Sequence, residues 1–527
     1  MSALTGARPL LRVSARQDAR AIAPWIMGIS ALSASSILAY AWIFPDREDR
    51  AALATALGGN PALSLIFGPA RDLMTSDGFN AWRAGGLGAF FASLMAVLIV
   101  VRNSRAAEDS GQAELLASAV MGRQTRLGVS VMLGVAASVA LGVICSLITI
   151  ACGGGVASSL VLSATFMCAG LMFTGVAAVT AQISSDARTA SSIAVAAAGI
   201  LYFLRGYLDS SGAPGWTQWL TPFGWLEATR PAAGNRVWPL IPTVVLAVIA
   251  VAAAFALQQR RDFGQGVVAT RPGPDRGGAV TTVWGLAVRL HRASILTWLV
   301  GFAALGLVFG NLATSVGDVI ASNPALSQVA AASGAAGGAV TLGFIVTILQ
   351  ITGILAAVLG VQVALRIHAE EIEYRVEPLL AGSLRRQVYF ASNLLTALVA
   401  TALGMLVAGT VMGTIAGGDE VSFGDVLGQA AATVPAVWVL VGIGFAAVGA
   451  APRLRLVAWA GIVASFGLSI LGPTFKLPDW ALDISPFRHV PVVSASSPDW
   501  SGLGGLAVVA LLLMVVGLVG YRRRDVL

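Results

Sequence analysis

What most constrains this chain is the recurrence, along its whole length, of runs of about 20 residues without Asp, Glu, Lys or Arg. Each run is long enough to cross roughly 30 Å of hydrocarbon as a helix. Lipid offers the backbone no hydrogen bonds, so such runs must be helices and not open strands. Only 11% of the residues are charged and mean hydropathy is +0.81, whereas a soluble domain carries about 25% charge. The expected fold is an all-α polytopic membrane protein.

Twelve spans are expected, at 22–44, 85–101, 129–152, 158–182, 189–208, 237–258, 293–313, 342–365, 388–415, 428–450, 456–472 and 502–520. An even number puts both termini on one side. If that side is the cytoplasm, the inner segments hold 24 of the 33 basic residues, and acidic residues outnumber basic ones outside. Trp216, Trp219, Trp225, Trp480 and Trp500 then fall near the outer boundary, where interfacial aromatics belong. The expected location is a bacterial plasma membrane, with multiple passes and both termini cytoplasmic. The same bias accounts for the net charge of +7 without a nucleic-acid partner. The polar, arginine-bearing start shows no cleavable signal peptide.

The second half of the chain echoes the first. Arg102 and Arg366 lie 264 residues apart, as do Leu115-Leu116-Ala117 and Leu379-Leu380-Ala381. Trp216, Pro222 and Phe223 match Trp480, Pro486 and Phe487 at the same offset, and Arg260-Arg261-Asp262 is echoed by Arg523-Arg524-Asp525. Before the first span the offset is 273, pairing Arg16 with Arg289 and Trp25 with Trp298. These collinear matches predict two tandem six-helix repeats, 1–270 and 271–527. Halves of six spans share orientation and are related by an axis along the membrane normal.

Between the eighth and ninth spans the sequence reads AEEIEYRVEPLLAGSLRR, with four glutamates and three arginines among long apolar runs. Ile372, Val376, Leu379 and Leu380 are spaced for one helix face, and Pro378 suits the first turn of a new helix. A helical extension, a break and a short amphipathic helix are therefore expected here. Glu108, Glu114, Leu115, Leu116 and Arg123 repeat the device in the first half. An apolar stripe on a surface helix needs something to cover, and its recurrence suggests a partner with two equivalent contact points.

The pattern of Arg, acidic pair, Glu-Leu-Leu-Ala and Arg after the second of six spans resembles the coupling-helix region of ABC-2-type exporter permeases. The duplicated form, with W-x5-PF in the outer segment of each half, is similar to the polyketide-antibiotic (tetronasin-type) exporter permeases of actinobacteria. Gln112 departs from the pattern, standing where a basic residue such as Arg375 is expected. The resemblance implies a permease subunit that exports bulky hydrophobic or amphipathic compounds, including antibiotics and drugs. It also implies two copies of a separate nucleotide-binding ATPase, which would hold ATP and Mg. The coupling residues it implies are Glu108, Glu114, Leu115, Arg123, Glu371, Arg375, Glu377, Leu379 and Arg386.

A phosphate-binding loop of the G-x4-GK[ST] type needs its lysine, and the only lysine, Lys476, sits in Phe-Lys-Leu. The ATPase must then be another polypeptide. No catalytic motif or metal spacing is present: His291, His368 and His489 are scattered, and Cys145, Cys152 and Cys168 read as packing residues. The resemblance further implies that the second and fifth spans of each half face a central cavity. Phe90, Phe91, Met95, Tyr202, Phe203, Gln350, Gln362 and Phe466 would line it. Large apolar walls with few polar groups suit an amphipathic cargo.

Trp216, Pro222 and Phe223, with Trp480, Pro486 and Phe487, are expected on short helices dipping into the outer leaflet as a lid. Arg205 reads as an interfacial residue reaching for water. The spacing of Arg8, Arg12, Arg16 and Arg20 suggests a helix lying on the inner surface, with Trp284 to Arg292 as its counterpart. The competing class is an ion-gradient-driven multidrug exporter. That mechanism needs a titratable group inside the membrane, and no Asp or Glu lies deep in any span.

Overall fold

The computed structural model describes residues 5–43, 46–48, 50–51, 54, 61–111, 122, 124–211, 213–261, 265–268, 282–322, 337–418, 421–471, 478–495 and 498–524. Among these residues there is no β-strand. Among the described residues eleven helices are long and apolar enough to cross a membrane, so the chain is a multi-pass, helical membrane protein. The chain forms two compact units, Met1–Gly273 and Pro274–Leu527.

In the first unit α1 spans Ala7–Ile43, α2 Pro61–Phe67, α3 Ser76–Asn103, α4 Arg105–Asp109, α5 Thr125–Ala151, α6 Val156–Ile183, α7 Ala187–Ser210, α8 Pro222–Glu227 and α9 Leu240–Gln259. In the second, α10 spans Val283–Ser322, α11 Gly337–Ile372, α12 Glu377–Leu380, α13 Arg386–Ala416, α14 Phe423–Ala450, α15 Val457–Phe466, α16 Asp479–Leu482 and α17 Ser501–Arg523. The packing scheme recurs. In the first unit α1 packs on α3 and α5, α3 on α5, α6 and α7, and α6 on α5, α7 and α9. With α10, α11, α13, α14, α15 and α17 in their places, the second unit makes the same eight pairings.

Between lipid-soluble helices there is little hydrophobic drive to associate, and close packing through small residues takes its place. A Cβ at Gly88 of α3 would stand 2.5 Å from the Phe166 ring of α6, which is fully buried. A Cβ at Gly449 of α14 would run into the Gly517 carbonyl oxygen of α17. At both places only glycine lets the helices approach this closely.

Two expectations change. The span expected at 456–472 is a ten-residue helix, α15, followed by a wider π-type turn at Gly467–Leu471; residue 472 lies outside the described residues. The arginine-bearing start is no separate surface helix. It runs unbroken into the first span through Pro24, and Trp284 to Arg292 likewise belongs to α10. In α1 Pro24 stands between the charged turns and the apolar ones without ending the helix, so they continue as one.

Candidate functional site

At one end of the first unit the chain gathers a buried cluster of ion pairs, one of them across 153 residues. Glu108, on the five-residue helix α4, accepts from Arg261 just beyond α9 through both carboxylate oxygens, at 2.7 and 3.0 Å. Arg105 donates to the same carboxylate at 2.7 Å, and to the Ser185 and Gln265 carbonyls at 2.5 and 3.2 Å. Its side chain is completely buried. Arg261 also donates to Gln182 at the end of α6, at 2.7 Å, and Asp109 accepts from the Ala187 N–H that starts α7, at 2.6 Å. The short segment after α3 is thereby tied to the ends of α6 and α9 and the start of α7. Charge-assisted, two-pronged bonds of this kind fix geometry as well as holding charge.

The second unit builds the counterpart. Glu371, in the last turn of α11, accepts from Arg524 at 2.6 and 2.7 Å and lies 3.5 Å from His368. The Arg524 guanidinium sits 4.9 Å over the Tyr521 ring, which stacks on Phe390. Arg366 and Tyr389 both donate to Glu370, at 2.9 and 2.8 Å, and Arg386 donates to the Arg524 carbonyl at 3.1 Å. Glu108–Arg261 and Glu371–Arg524 each join residues 153 apart in the chain.

These pairs shift the expected register by one. Glu108, Gly111 and Arg261 lie 263 residues before Glu371, Tyr374 and Arg524, although Arg102 and Arg366 lie 264 apart. The extra residue of the first unit is taken up at Ser104, where the helix breaks between α3 and α4; α11 runs on without interruption. Beyond the break both helices end alike. Gly111 and Tyr374 hold left-handed backbones, with φ of 74° and 57°. The Tyr374 N–H bonds the Glu371 carbonyl and the Arg375 N–H bonds the Glu370 carbonyl, each at 3.0 Å. This is the glycine-type helix stop, here with a tyrosine in the left-handed position.

The expected coupling residues therefore separate. Glu371 is buried and Glu108 nearly so, both spent on arginines of their own unit, so neither presents a free carboxylate to a partner. Arg375 and Glu377 are exposed, Leu379 is half-buried, and Arg386 is exposed beside Arg524. The expected apolar stripe does not form. The turn at 373–376 comes before Pro378, leaving Ile372 exposed at 59% and Val376 buried at 1%. Glu114, Leu115 and Arg123 lie outside the described residues. The sequence reading passed over Arg105, Arg261, Gln182, Glu370, Tyr389 and Arg524. The matching arginine pairs at 260–261 and 523–524 were the available signal.

The expected cavity residues also divide. Phe90, Phe91, Tyr202 and Phe203 form an aromatic chain across α3 and α7, with ring centroids 5.0 to 6.3 Å apart. Tyr202 meets Phe223 of α8 edge-on at 5.5 Å. Met95 is buried in the core, Gln350 donates to the Phe487 carbonyl at 3.5 Å, Gln362 accepts from Trp298 at 3.1 Å, and Phe466 is exposed. The expected lid residues do lie on short helices: Trp216 in a 3-10 turn at Gly215–Leu220, Pro222 and Phe223 in α8, Trp480 in α16, and Pro486 and Phe487 in a 3-10 turn at Pro486–His489. In both units the phenylalanine is buried and the tryptophan exposed.

Arg205 does not reach for water. It is 3% exposed and lies 3.3 Å from Asp209 and 3.6 Å from Glu227, whose other oxygen pairs with Arg71 at 2.9 Å. Arg71, Arg205 and Glu227 line a cavity of about 70 Å³ together with Trp82, Tyr202 and Phe223. Arg71 beside it, and burial next, lower the proton affinity of Arg230 at its rim.

A family model described as the C-terminal domain of the multidrug efflux system permease Rv1217c matches residues 280–522. Over its whole length the chain is 35% identical to the multidrug efflux system permease protein Rv1217c of Mycobacterium tuberculosis (strain ATCC 25618 / H37Rv), covering 96% of that protein.

Proposed function

The chain belongs to the family of the multidrug efflux system permease Rv1217c, and from that membership we propose that it is the transmembrane subunit of an ABC exporter for bulky hydrophobic or amphipathic compounds. Polyketide-type antibiotics are the narrower class that the W-x5-PF segments suggest. Two copies of a separate ATPase, carrying ATP and Mg, dock on the segments that follow α3 and α11. Both termini lie in the cytoplasm, α15 with the turn after it serves as the eleventh of twelve spans, and the two units are tandem repeats.

The observation that carries this reading is the paired clasp. The same long-range arginine–glutamate bond, across the same 153 residues, fixes the polar segment after the second long helix of each unit. A segment that must transmit force has to be held rigidly to the helices it moves. Glu108 and Glu371 hold; the exposed Arg375 and Glu377 make the contact in the second unit. Asp209 is the carboxylate that most favours an ion-driven alternative, but it sits in the last turn of α7 already facing Arg205.

The test is co-purification with the ATPase subunit and an assay of ATP hydrolysis. Arg375→Glu combined with Glu377→Ala lowers permease-stimulated hydrolysis about fivefold or more, the scale of losing an interfacial anchor. A chain that carries no ATPase with it, or stimulation that ignores both changes, removes the reading.

A further inference from the structure

A groove of about 470 Å³ opens in the first unit between α1, α3 and α7; no coupling residue lines it, and of the expected cavity residues Met95 alone does. Its wall is apolar, made chiefly by Ile22, Trp25, Met95, Leu98 and Ile99. One end is charged: Arg102 lies at the close of α3 and Arg188 at the opening of α7. Met95 and Arg102 are seven residues apart on one helix, so the apolar wall runs on for about 10 Å from the charged end.

The charges at that end do not cancel. Among the described residues Asp18 is the one carboxylate lining the groove, and it is buried and engaged by both Arg102, at 3.3 Å, and the Asn103 amide. Arg188 is exposed, and its guanidinium has no ion pair or hydrogen bond among the described residues. Arg102 keeps 59% of its side chain exposed. Among the described lining residues two arginines face one aspartate, a positive mouth over an apolar channel; Asp109 beside it is shared with Arg105 and the Ala187 N–H, and Asp186 is spent on capping α7.

The second unit does not keep the groove in this form. Trp298, which lies 273 residues after Trp25, donates its indole N–H to Gln362, which stands 264 residues after Leu98. In the first unit leucine offers that indole no acceptor.

We propose that this groove binds an anionic phospholipid, with its phosphate between Arg102 and Arg188 and the upper part of an acyl chain along Ile22, Trp25 and Leu98. Basic pockets between membrane helices take acidic headgroups because the arginines meet the phosphate where water is scarce. The wall continuing from the charged end is apolar, as an acyl chain requires. The binding itself does not depend on an ATPase partner.

The test uses the full chain purified in detergent and phosphatidylglycerol carrying a photoreactive group on its acyl chain, with the labelled peptides mapped. Labelling is expected at α1 near Trp25 and at α3 near Leu98, and phosphatidylcholine with the same group should label several-fold less. Arg188→Gln should cut the labelling about fivefold, the effect of one basic residue at an anionic surface, while Arg188→Lys retains it. Among the described residues the exposed Arg188 side chain makes no ion pair or hydrogen bond, so this variant stays interpretable even if Arg102→Gln, which strands Asp18, fails to fold. Equal labelling by both lipids, labelling elsewhere only, or labelling untouched by Arg188→Gln overturns the proposal. So does displacement by an amphipathic drug but not by unlabelled phosphatidylglycerol, which makes the groove a cargo site.

Discussion

Gly111 and Tyr374 occupy the same place after their helices but stand in opposite relation to the backbone. A left-handed residue with a Cβ is strained by about 1–2 kcal/mol, and glycine escapes that strain. A Cβ on Gly111 would meet nothing within 4 Å, so Gly111→Ala isolates the backbone effect and should destabilise by about 1 kcal/mol. Tyr374→Gly should do the reverse, gaining up to about 1 kcal/mol, since some of the relief is returned as chain entropy. Thermal unfolding of the two variants in one detergent checks the signs. A stabilised alanine variant, or a destabilised glycine one, would show that these helix ends are held otherwise. In the first unit Asp186 caps α7. Burial acts to raise its carboxyl, but the Thr189 N–H and hydroxyl, Ser185 and the Arg188 N–H together outweigh burial and hold it below the ordinary aspartate range. Its contribution is therefore present above the unfolded value, near 4, and is lost as pH falls through the lower folded one. Asp186→Asn should lower stability at neutral pH, where the carboxylate's bonds are lost, and flatten the profile on the acid side of about pH 4.

Among the helices, the contacts that matter are those a single atom can block. Gly449→Ala should force α14 from α17 and lower stability by about 2 kcal/mol or more, the scale of overpacking. Gly505→Ala on α17, where a Cβ meets nothing within 4 Å, should be close to neutral. The clasps behave differently. Arg524→Leu leaves Glu371 charged and buried, at a cost of about 3 kcal/mol; adding Glu371→Leu should recover much of it, because a buried pair removed whole leaves no orphan charge. A double change that melts as low as the single one argues against the clasp. At this scale the sequence spoke clearly for eleven of the expected spans, because hydropathy needs only composition. It also placed the break after α11. It could not place Ser104, where one residue of irregularity shifts the register from 264 to 263. Nor could it see that glutamates expected to face outward turn in, since their arginine partners are 153 residues away. Arg205 misled differently: Asp209 stands only four residues on, at helix spacing, and was readable, whereas Glu227 comes from α8.

For the molecule as a whole, the two units repeat one packing scheme and one clasp. A pump driven through those clasps must stop when its motor stops. The most direct measurement is efflux of an amphipathic fluorescent drug from proteoliposomes holding the chain with its ATPase subunits, with ATP and an imposed proton gradient varied separately. Transport that requires ATP hydrolysis, persists when the gradient is dissipated, and falls together with hydrolysis in the Arg375→Glu, Glu377→Ala chain is the expected result. Transport that runs on the gradient alone and is indifferent to ATP would contradict it.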